Sequence, residues 1–232
     1  MNRSDLLSQI DLAEIAAFVF EPGNAWGLIK FPVPEFIDAV TFAVKRAGGL
    51  LMANEVTTGF GRTGKWFGHQ YYNYSPDIVS TGKALGNGYP VSCVSVNEEV
   101  AELFEQNHFR YAQSHQNDPL GCAVGIEVIK VFEKTGLVQQ SFEKGNYFTE
   151  KLEDIQKKHS EKFKEVRARG LMIALELDTR VRSENIYSQL LDDGIIVGVK
   201  ENVLRFMPPL TISKSQIDKL INALDRNLGI IK

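Results

Sequence analysis

The stretch LLMANEVTTGFGRTG, residues Leu50–Gly64, decides how this chain folds. It opens with a short apolar run that stops at Asn54 and Glu55, a pattern typical of a buried strand in a parallel sheet. A loop with three glycines follows directly. Ligands of open α/β sheets bind outside the carboxyl ends of strands, so the polar residues that end this strand are candidate site residues.

The neighbouring segments extend this strand into an α/β pattern. Strands are predicted at Ile15–Phe20, Asp77–Ser80 and Val91–Val96, and a helix begins at Pro34 and stops at Gly48. Short links between strand and helix predict a mainly parallel sheet with helices on its faces. After residue 119 the pattern predicts helices at 120–132, 138–159, 181–193 and 214–228, and strands at 163–169, 170–177, 195–199 and 203–206. We therefore predict a second, smaller α+β domain and place the boundary near residue 145.

The composition argues against several functional classes. A net charge of −3 over 232 residues provides no basic field for nucleic acid or anionic lipid. Two cysteines and four histidines are dispersed without metal-ligand spacing. No apolar run approaches the roughly 20 residues of a membrane-spanning helix, and residues 1–5 lack the apolar core of a signal peptide. We expect a cytoplasmic protein without a metal, nucleic-acid or membrane partner.

The glycine-rich loop resembles two phosphate-binding patterns. Residues Gly59–Lys65 match both G-x-G-x-x-G and G-x-x-x-x-G-K. Both patterns need a helix directly afterwards, because the helix N-terminus holds the phosphate. The aromatic stretch that follows does not predict such a helix, and Trp66 stands where Ser or Thr would hold magnesium. We interpret Gly61 and Gly64 as residues that permit a tight loop with positive φ, braced by hydrogen bonds from Arg62.

A lysine follows the strand at Asp77–Ser80, within the glycine-containing loop TGKALGNG. A single lysine is usually a solvated surface cation. Lys83, however, lies beside apolar Ala84 and Leu85, where its amine could be partly desolvated and available as a nucleophile or base.

Five ordered segments resemble the class III pyridoxal-phosphate (PLP) aminotransferases, of the ornithine, acetylornithine and 4-aminobutyrate type. Leu50–Gly64 resembles the family's L-L-x-x-D-E-V-Q-T-G-F-G-R-T-G, and Ser75–Gly86 resembles its P-D-I-x-x-x-x-K-x-L-G-G lysine signature. Phe20–Pro22, Ser114–Leu120 and Arg205–Leu210 agree in order. The resemblance covers essentially the whole chain. It implies PLP-dependent fold type I, with part of the PLP-binding large domain at 1–145 and the small domain at 146–232.

The resemblance also implies a role for each matched residue. Lys83 would form the Schiff base with PLP and then move a proton between the substrate α-carbon and the cofactor. Asn54 would face the pyridine nitrogen, Val56 would pack against the ring, and Thr57 would lie near the ring hydroxyl.

Ser114 and Arg205 each have two interpretations. By resemblance, Ser114 with nearby backbone amides would reach the cofactor phosphate across a dimer interface, but a serine before a helix is also a common N-cap. Arg205 would pair with a substrate carboxylate, which its planar guanidinium suits. Its alternative role is a salt bridge inside the small domain.

The chain departs from the family pattern in two places. Asn54 stands where the family usually has Asp, whose charge keeps the pyridine nitrogen protonated, so we hypothesise slowed or altered chemistry. Glu55 does not substitute, because adjacent residues of a strand point to opposite faces. Trp26 lies in a run where the family often has a glutamate, so substrate specificity is not inferred through that segment.

Family members are also much longer and begin with a region that holds a phosphate-binding turn and a ring-stacking aromatic residue. We therefore expect that this sequence is a C-terminal piece of a longer protein, or that a partner chain supplies the region that holds these two features. The leading hypothesis is an aminotransferase that acts on amino acids or ω-amino acids and 2-oxo acids, and the resemblance implies a dimer. Two alternatives stay open: an inactive fragment that retains oligomerisation or weak PLP affinity, and a PLP aminomutase or racemase.

Overall fold

The computed structural model describes residues 14–230, and it divides into two compact units. The first unit includes Phe31–Phe60 and Phe67–Thr135, together with the described residues before Asn24. The second includes the segments Asn24–Lys30 and Gly61–Trp66 and the chain from Gly136 onward. The prediction about residues 1–5 lies outside the described range. The assignment of 1–145 and 146–232 to a large and a small domain stays a prediction.

The first unit contains a four-stranded sheet with the strand order β1-β2-β3-β4. Its strands are β1 (Ala17–Phe20), β2 (Leu50–Asn54), β3 (Ile78–Thr81) and β4 (Cys93–Val96). β1 pairs with β2, and β2 with β3, in parallel, whereas β4 runs antiparallel to β3. The prediction of a mainly parallel sheet is confirmed.

The helix α1 (Pro34–Arg46) packs on one face of this sheet. Proline occupies its first turn and Lys45 and Arg46 its last turn, as the helix dipole favours. On the apolar side of the helix, Ile37 packs against Phe20 of β1, and other residues pack against Leu51 of β2.

The opposite face of the sheet is apolar and open to solvent. The register places Val19, Met52, Ile78 and Val96 side by side on this face. Val19 is 55% exposed, although the apolar run Ile15–Phe20 has the composition of a buried strand. β1 lies at the edge of the sheet and pairs only with β2.

Two further helices complete the first unit: α2 (Glu98–Gln106) and α3 (Pro119–Thr135). The sequence analysis missed α2. Its start is marked by Asn97, whose side chain accepts a hydrogen bond from Val100 N at 2.9 Å, and by two glutamates in the first turn. That N-cap signature could have revealed the helix.

The second unit is an antiparallel sheet covered by helices. Its elements are α4 (Leu137–Lys158), β5 (Phe163–Arg169), β6 (Met172–Leu177), α5 (Ser183–Asp192), β7 (Gly198–Lys200), β8 (Val203–Phe206) and α6 (Lys214–Ile230). The strand order is β5-β6-β8-β7. Its core joins the central strand β6 to apolar side chains of the three helices, among them Phe148, Ile186 and Leu224. The α+β character predicted for this part of the chain is confirmed.

The part of the glycine-rich loop from Gly61 to Lys65 belongs to the second unit, and the loop makes a tight turn, as expected. Gly61 and Gly64 have φ of 76° and 84°, in the region that glycine tolerates best. Arg62 does brace the loop, but against distant carbonyls: its Nη1 donates to Leu171 O at 3.0 Å and to Pro208 O at 2.6 Å. Burial lowers the pKa of this guanidinium to about 10.

Candidate active site

The carboxyl ends of β2 and β3 meet at one edge of the first sheet. Asn54 is the last residue of β2 and lies beside Ser80 of β3. Lys83 opens a short 3-10 turn just after β3. Its Nζ donates a hydrogen bond to Thr57 Oγ1 at 2.6 Å. The structure therefore joins Lys83 to Thr57 and places Asn54 beside the strand that leads to Lys83, which lies on a different segment of the sequence from the other two residues.

The backbone of Lys83 adopts an unusual conformation. Its φ is +44°, in the left-handed region that residues with side chains seldom occupy. Hydrogen bonds from Gly86 N and Asn87 N to the Lys83 carbonyl at 3.1 Å hold the turn. Strain of this kind persists where the surrounding structure enforces it, and it is concentrated at functional sites. The side chain is exposed, so the expectation of a partly desolvated amine is not met.

The Asn54 side chain uses both ends of its amide. Oδ1 accepts hydrogen bonds from Val56 N at 3.2 Å and from Ser80 Oγ at 3.4 Å. Nδ2 donates to Glu21 Oε1 at 3.3 Å. Glu21 and Ser80 were not singled out as neighbours of this residue. The parallel register of β1, β2 and β3, which ends all three strands at one edge, is the signal that could have found them.

Glu55 points away from Asn54 and is fully buried, as strand alternation predicted. Its carboxylate accepts hydrogen bonds from Thr58 Oγ1 at 2.5 Å, Gly68 N at 2.8 Å and His69 N at 2.7 Å, and His69 Nδ1 lies 2.9 Å away. Burial raises the pKa of Glu55, but the hydrogen bonds from His69 and Thr58 outweigh it and hold the pKa below its ordinary value. The buried carboxylate thus fixes the loop that carries Thr57.

Ser114 lies in an exposed turn and shares no hydrogen bond with Asn54, Thr57 or Lys83 among residues 14–230. The alternative of a helix N-cap is wrong for this residue. α3 begins at Pro119, and Asp118 Oδ1 accepts the hydrogen bond from Leu120 N at 3.0 Å.

Arg205 lies on β8 in the second unit. Its Nη1 donates to Ala25 O at 2.9 Å, and its buried Nε has no hydrogen-bond partner. No carboxylate in the described part of the chain pairs with it, so the alternative of a salt bridge is not found. Gly198 faces it from β7, and a side chain there would lie 3.2 Å from Arg205 Nε. The glycine leaves room for the guanidinium.

Three basic side chains of the second unit hold the segment Asn24–Lys30 by its backbone carbonyls. Besides Arg205, Lys200 donates to Trp26 O at 2.9 Å, and Arg167 donates to Leu28 O at 2.8 Å. Trp26 itself is 79% exposed. These contacts join residues far apart in sequence, and no local pattern could have indicated them.

Two classes of site are absent from the described residues. None of the helices within residues 14–230 is long and apolar enough to cross a membrane. The same range contains no group of three or more acidic, histidine or cysteine side chains arranged to hold a metal ion.

Comparison with known proteins identifies a family and a fold. The sequence model of the family Aminotransferase class-III matches residues 4–228. An acetylornithine aminotransferase of Caldanaerobacter subterraneus is 37% identical over 219 residues, which cover 94% of this chain and 55% of the relative. An ornithine aminotransferase of Brevibacillus brevis is 37% identical over 229 residues, which cover 97% of this chain and 55% of the relative.

Solved structures of transaminases also match this chain. The structure of an ornithine aminotransferase from Plasmodium yoelii superposes with a TM-score of 0.86 at 27% identity, covering 100% of this chain and 62% of that one. An S-selective transaminase from Arthrobacter sp. gives a TM-score of 0.87 at 27% identity, and the match covers 98% of this chain and 54% of that one. The chain thus spans about half the length of the curated relatives that it matches.

Proposed function

This chain belongs to the class III aminotransferases, and we propose that it carries the lysine-bearing part of a site that transfers amino groups with PLP. The donor would be an amino acid or ω-amino acid and the acceptor a 2-oxo acid. The observation that carries the proposal is the position of Lys83, whose Nζ lies 2.6 Å from Thr57 Oγ1 at the sheet edge shared with Asn54. The fold is that of the fold type I PLP-dependent transaminases.

The residues at this edge suit a pyridoxal ring. Lys83 provides a primary amine for the cofactor aldehyde, and Thr57 provides a hydroxyl beside it. Asn54 provides a polar group for the ring nitrogen, and Val56, two residues further on, provides an apolar side chain for the ring face. These side chains support the proposal that this edge holds the aldehyde and the ring of the cofactor.

Each of these residues has a task in the proposed reaction. PLP, when bound, withdraws electrons from the substrate α-carbon and so makes its proton removable. Lys83 would first hold the cofactor through Nζ and, once displaced by the substrate amine, would move the proton at the α-carbon. Thr57 Oγ1 accepts a hydrogen bond from Nζ and so orients it. The turn at Lys83 sets the direction in which its side chain leaves the backbone.

We also propose that Arg205 binds a substrate carboxylate and that Ser114 binds the cofactor phosphate. The guanidinium of Arg205 has no carboxylate partner within residues 14–230, and a planar fork can bind a carboxylate with two hydrogen bonds. Ser114 lies in an exposed turn, where its hydroxyl is accessible to a partner subunit. In the proposed assembly it would act across a dimer interface.

The proposed assembly is a homodimer, or a complex with a polypeptide that carries the part of the relatives' length that this chain does not match. The open apolar face of the first sheet supports it, because parallel sheets are normally covered on both faces. We place the protein in the cytoplasm, since its two cysteines, Cys93 and Cys122, are free and exposed.

Covalent labelling tests the proposed function directly. The purified full chain is incubated with PLP, reduced with borohydride and digested, and peptide masses locate the cofactor. We expect the label on Lys83 and its loss in Lys83→Ala, whereas Lys130→Ala, which removes an exposed lysine of α3, should retain it. A label on another lysine, or no label, would refute the assignment. Transamination of ornithine and acetylornithine with a 2-oxo acid acceptor then tests the reaction.

A second candidate activity, isomerisation by a racemase, is favoured by Asn54, with an aminomutase as a further alternative. A neutral amide in place of a carboxylate makes the ring a weaker electron sink, and a strong sink matters more for amino-group transfer than for a racemase, which removes and returns one proton. Product analysis on the same samples separates the two: a new 2-oxo acid indicates transamination, whereas an inverted or rearranged amino acid indicates isomerisation.

A further inference from the structure

The side chain of Asn54 has only one hydrogen-bonding group left to offer a ligand, and we propose that this group is an N–H donor. It follows that PLP bound at this site has an unprotonated pyridine nitrogen. The inference rests on the proposed function and specifies the electronic state in which the site holds its cofactor. It concerns a residue at which this chain differs from the usual family pattern.

The orientation of the Asn54 amide is fixed by two neighbours of opposite character. The Glu21 carboxylate can only accept a hydrogen bond, and the Val56 backbone N–H can only donate one. They lie 3.3 Å from Nδ2 and 3.2 Å from Oδ1, respectively. Turning the amide over would set oxygen against the carboxylate and NH2 against an N–H, two repulsive contacts. The assignment of oxygen and nitrogen is therefore decided by chemistry.

A count of the remaining hydrogen-bonding capacity leads to the donor. An asparagine oxygen has two lone pairs, and here Val56 N and Ser80 Oγ use both of them. The NH2 group has two hydrogens, of which Glu21 Oε1 takes one. One N–H is left. A group that meets it must accept a hydrogen bond, which a neutral pyridine nitrogen does and a pyridinium N–H does not.

The consequence is a weaker electron sink than a carboxylate at position 54 would give. A carboxylate accepts a hydrogen bond from a protonated ring nitrogen and stabilises its positive charge, whereas the N–H of Asn54 stabilises the uncharged form. Glu21 Oε1 accepts a hydrogen bond from Asn54 Nδ2, so Glu21 is a positioning residue that acts through Asn54.

The ¹⁵N resonance of ring-labelled PLP reads the protonation state without any turnover. Protonation moves a pyridine nitrogen resonance upfield. We expect the wild-type protein loaded with ¹⁵N-PLP to show the unprotonated position, and Asn54→Asp to shift it upfield. Asn222→Asp, the same change at an exposed residue of α6, should leave it unmoved. A protonated nitrogen in the wild-type protein would overturn the inference while leaving attachment at Lys83, and so the proposed function, intact.

A double variant keeps the test decisive if Asn54→Asp folds poorly. That substitution sets two carboxylates against each other, which destabilises both. Glu21→Gln combined with Asn54→Asp exchanges the two groups and restores an amide-to-carboxylate hydrogen bond. This variant too should show the upfield resonance. An unprotonated nitrogen in the double variant would contradict the argument, since its residue 54 has only acceptors.

A measurement on the cofactor-free protein tests the orientation of the amide independently. In protein labelled with ¹⁵N-asparagine, the side-chain resonances of Asn54 are those missing from Asn54→Asp. One of its two Hδ2 protons should lie downfield because it is bound to the Glu21 carboxylate, and Glu21→Leu should remove that shift. Unchanged proton positions in Glu21→Leu would overturn the proposed role of Glu21. Absence of PLP attachment at Lys83 would instead refute the proposed function.

Discussion

At the scale of single residues, Glu55 stabilises the loop that carries the candidate site residues. It is fully buried, and its carboxylate accepts hydrogen bonds from Thr58, Gly68 and His69. A buried charge is tolerated only when several donors compensate its lost hydration, and removing the charge leaves those donors unsatisfied. The function of Thr57 as a partner of Lys83 depends on this buried group, although Glu55 itself faces away from the site.

Glu55 therefore predicts a pH-dependent stability. Its folded pKa is lowered, so its contribution is present above the pKa of an unfolded glutamate, about 4.3, and is lost as the pH falls through the folded value. His69 and Tyr74 are titratable groups that interact with it. We expect Glu55→Gln to lose about 1–3 kcal/mol of unfolding free energy at pH 7, together with the share of the acid dependence that Glu55 contributes. Urea denaturation at pH values from about 3 to about 7, which bracket the titration range of carboxyl groups, measures the free energy of unfolding and its pH dependence. Glu150→Gln, at an exposed residue, is the control. Equal stability of Glu55→Gln and wild type at neutral pH would contradict this account.

The sequence predicted that the candidate residues Asn54 and Lys83 follow neighbouring strands, but it did not predict their hydrogen-bond partners. Asn54 and Lys83 follow parallel strands, and the common edge of such strands brings them together by geometry alone. The hydrogen bonds of Asn54 to Glu21 and Ser80 depend on side-chain rotamers and register, which no local pattern specifies. The exposure of Lys83 was likewise missed, because burial depends on the whole assembled surface.

At the scale of secondary-structure elements, α4 is held against the β5–β6 turn by a contact between two glycines. A side chain at Gly145, in the middle of α4, would lie 2.3 Å from Gly170 O. Gly170 has a φ of +52°, in the left-handed region that favours glycine. Helix propensity alone would favour alanine over glycine at an interior position of a helix by about 1 kcal/mol. The close approach of the two backbones outweighs that preference.

Gly145→Ala should therefore destabilise the second unit despite its better helix propensity. We expect a loss of about 1–3 kcal/mol, typical of overpacking against backbone that cannot move aside. Gly229→Ala on α6 is the matched control, because nothing lies within 4 Å of a side chain placed there, and it should be neutral or stabilising. Chemical denaturation followed by circular dichroism compares the two. A Gly145→Ala protein as stable as the control variant would show that the contact is not tight.

Most elements followed from sequence periodicity, and the exceptions have physical reasons. β6 and α6 lie where their apolar patterns placed them, since both are central to a core. The missed helix α2 has a single buried residue, Val100, so its pattern is weak. β1 has the composition of a buried strand but lies at a sheet edge, and strand order is not encoded in the composition of one strand.

At the scale of the whole molecule, the chain has a sheet face that its described elements leave exposed. Val94 of β4 is 65% exposed and Val19 of β1 is 55% exposed, on the same face as Met52. The site residue Asn54 lies on this face as well, since it neighbours Ser80, which in turn pairs with Val94. Extended apolar surface of this kind normally marks an interface. Covering it would also enclose the surroundings of Asn54, which links assembly to the chemistry of the site.

The open face predicts that the isolated chain associates through it. We expect light scattering after size-exclusion chromatography to show species larger than a monomer, increasing with protein concentration. Val94→Lys should reduce the association, because a lysine on an edge strand resists pairing with apolar surface. Val33→Lys changes a 60% exposed valine just before α1, away from the sheet face, and should leave the association unchanged. If the chain stays monomeric at every concentration, the exposed face does not drive association. If Val94→Lys and Val33→Lys change the association equally, the chain associates through another surface.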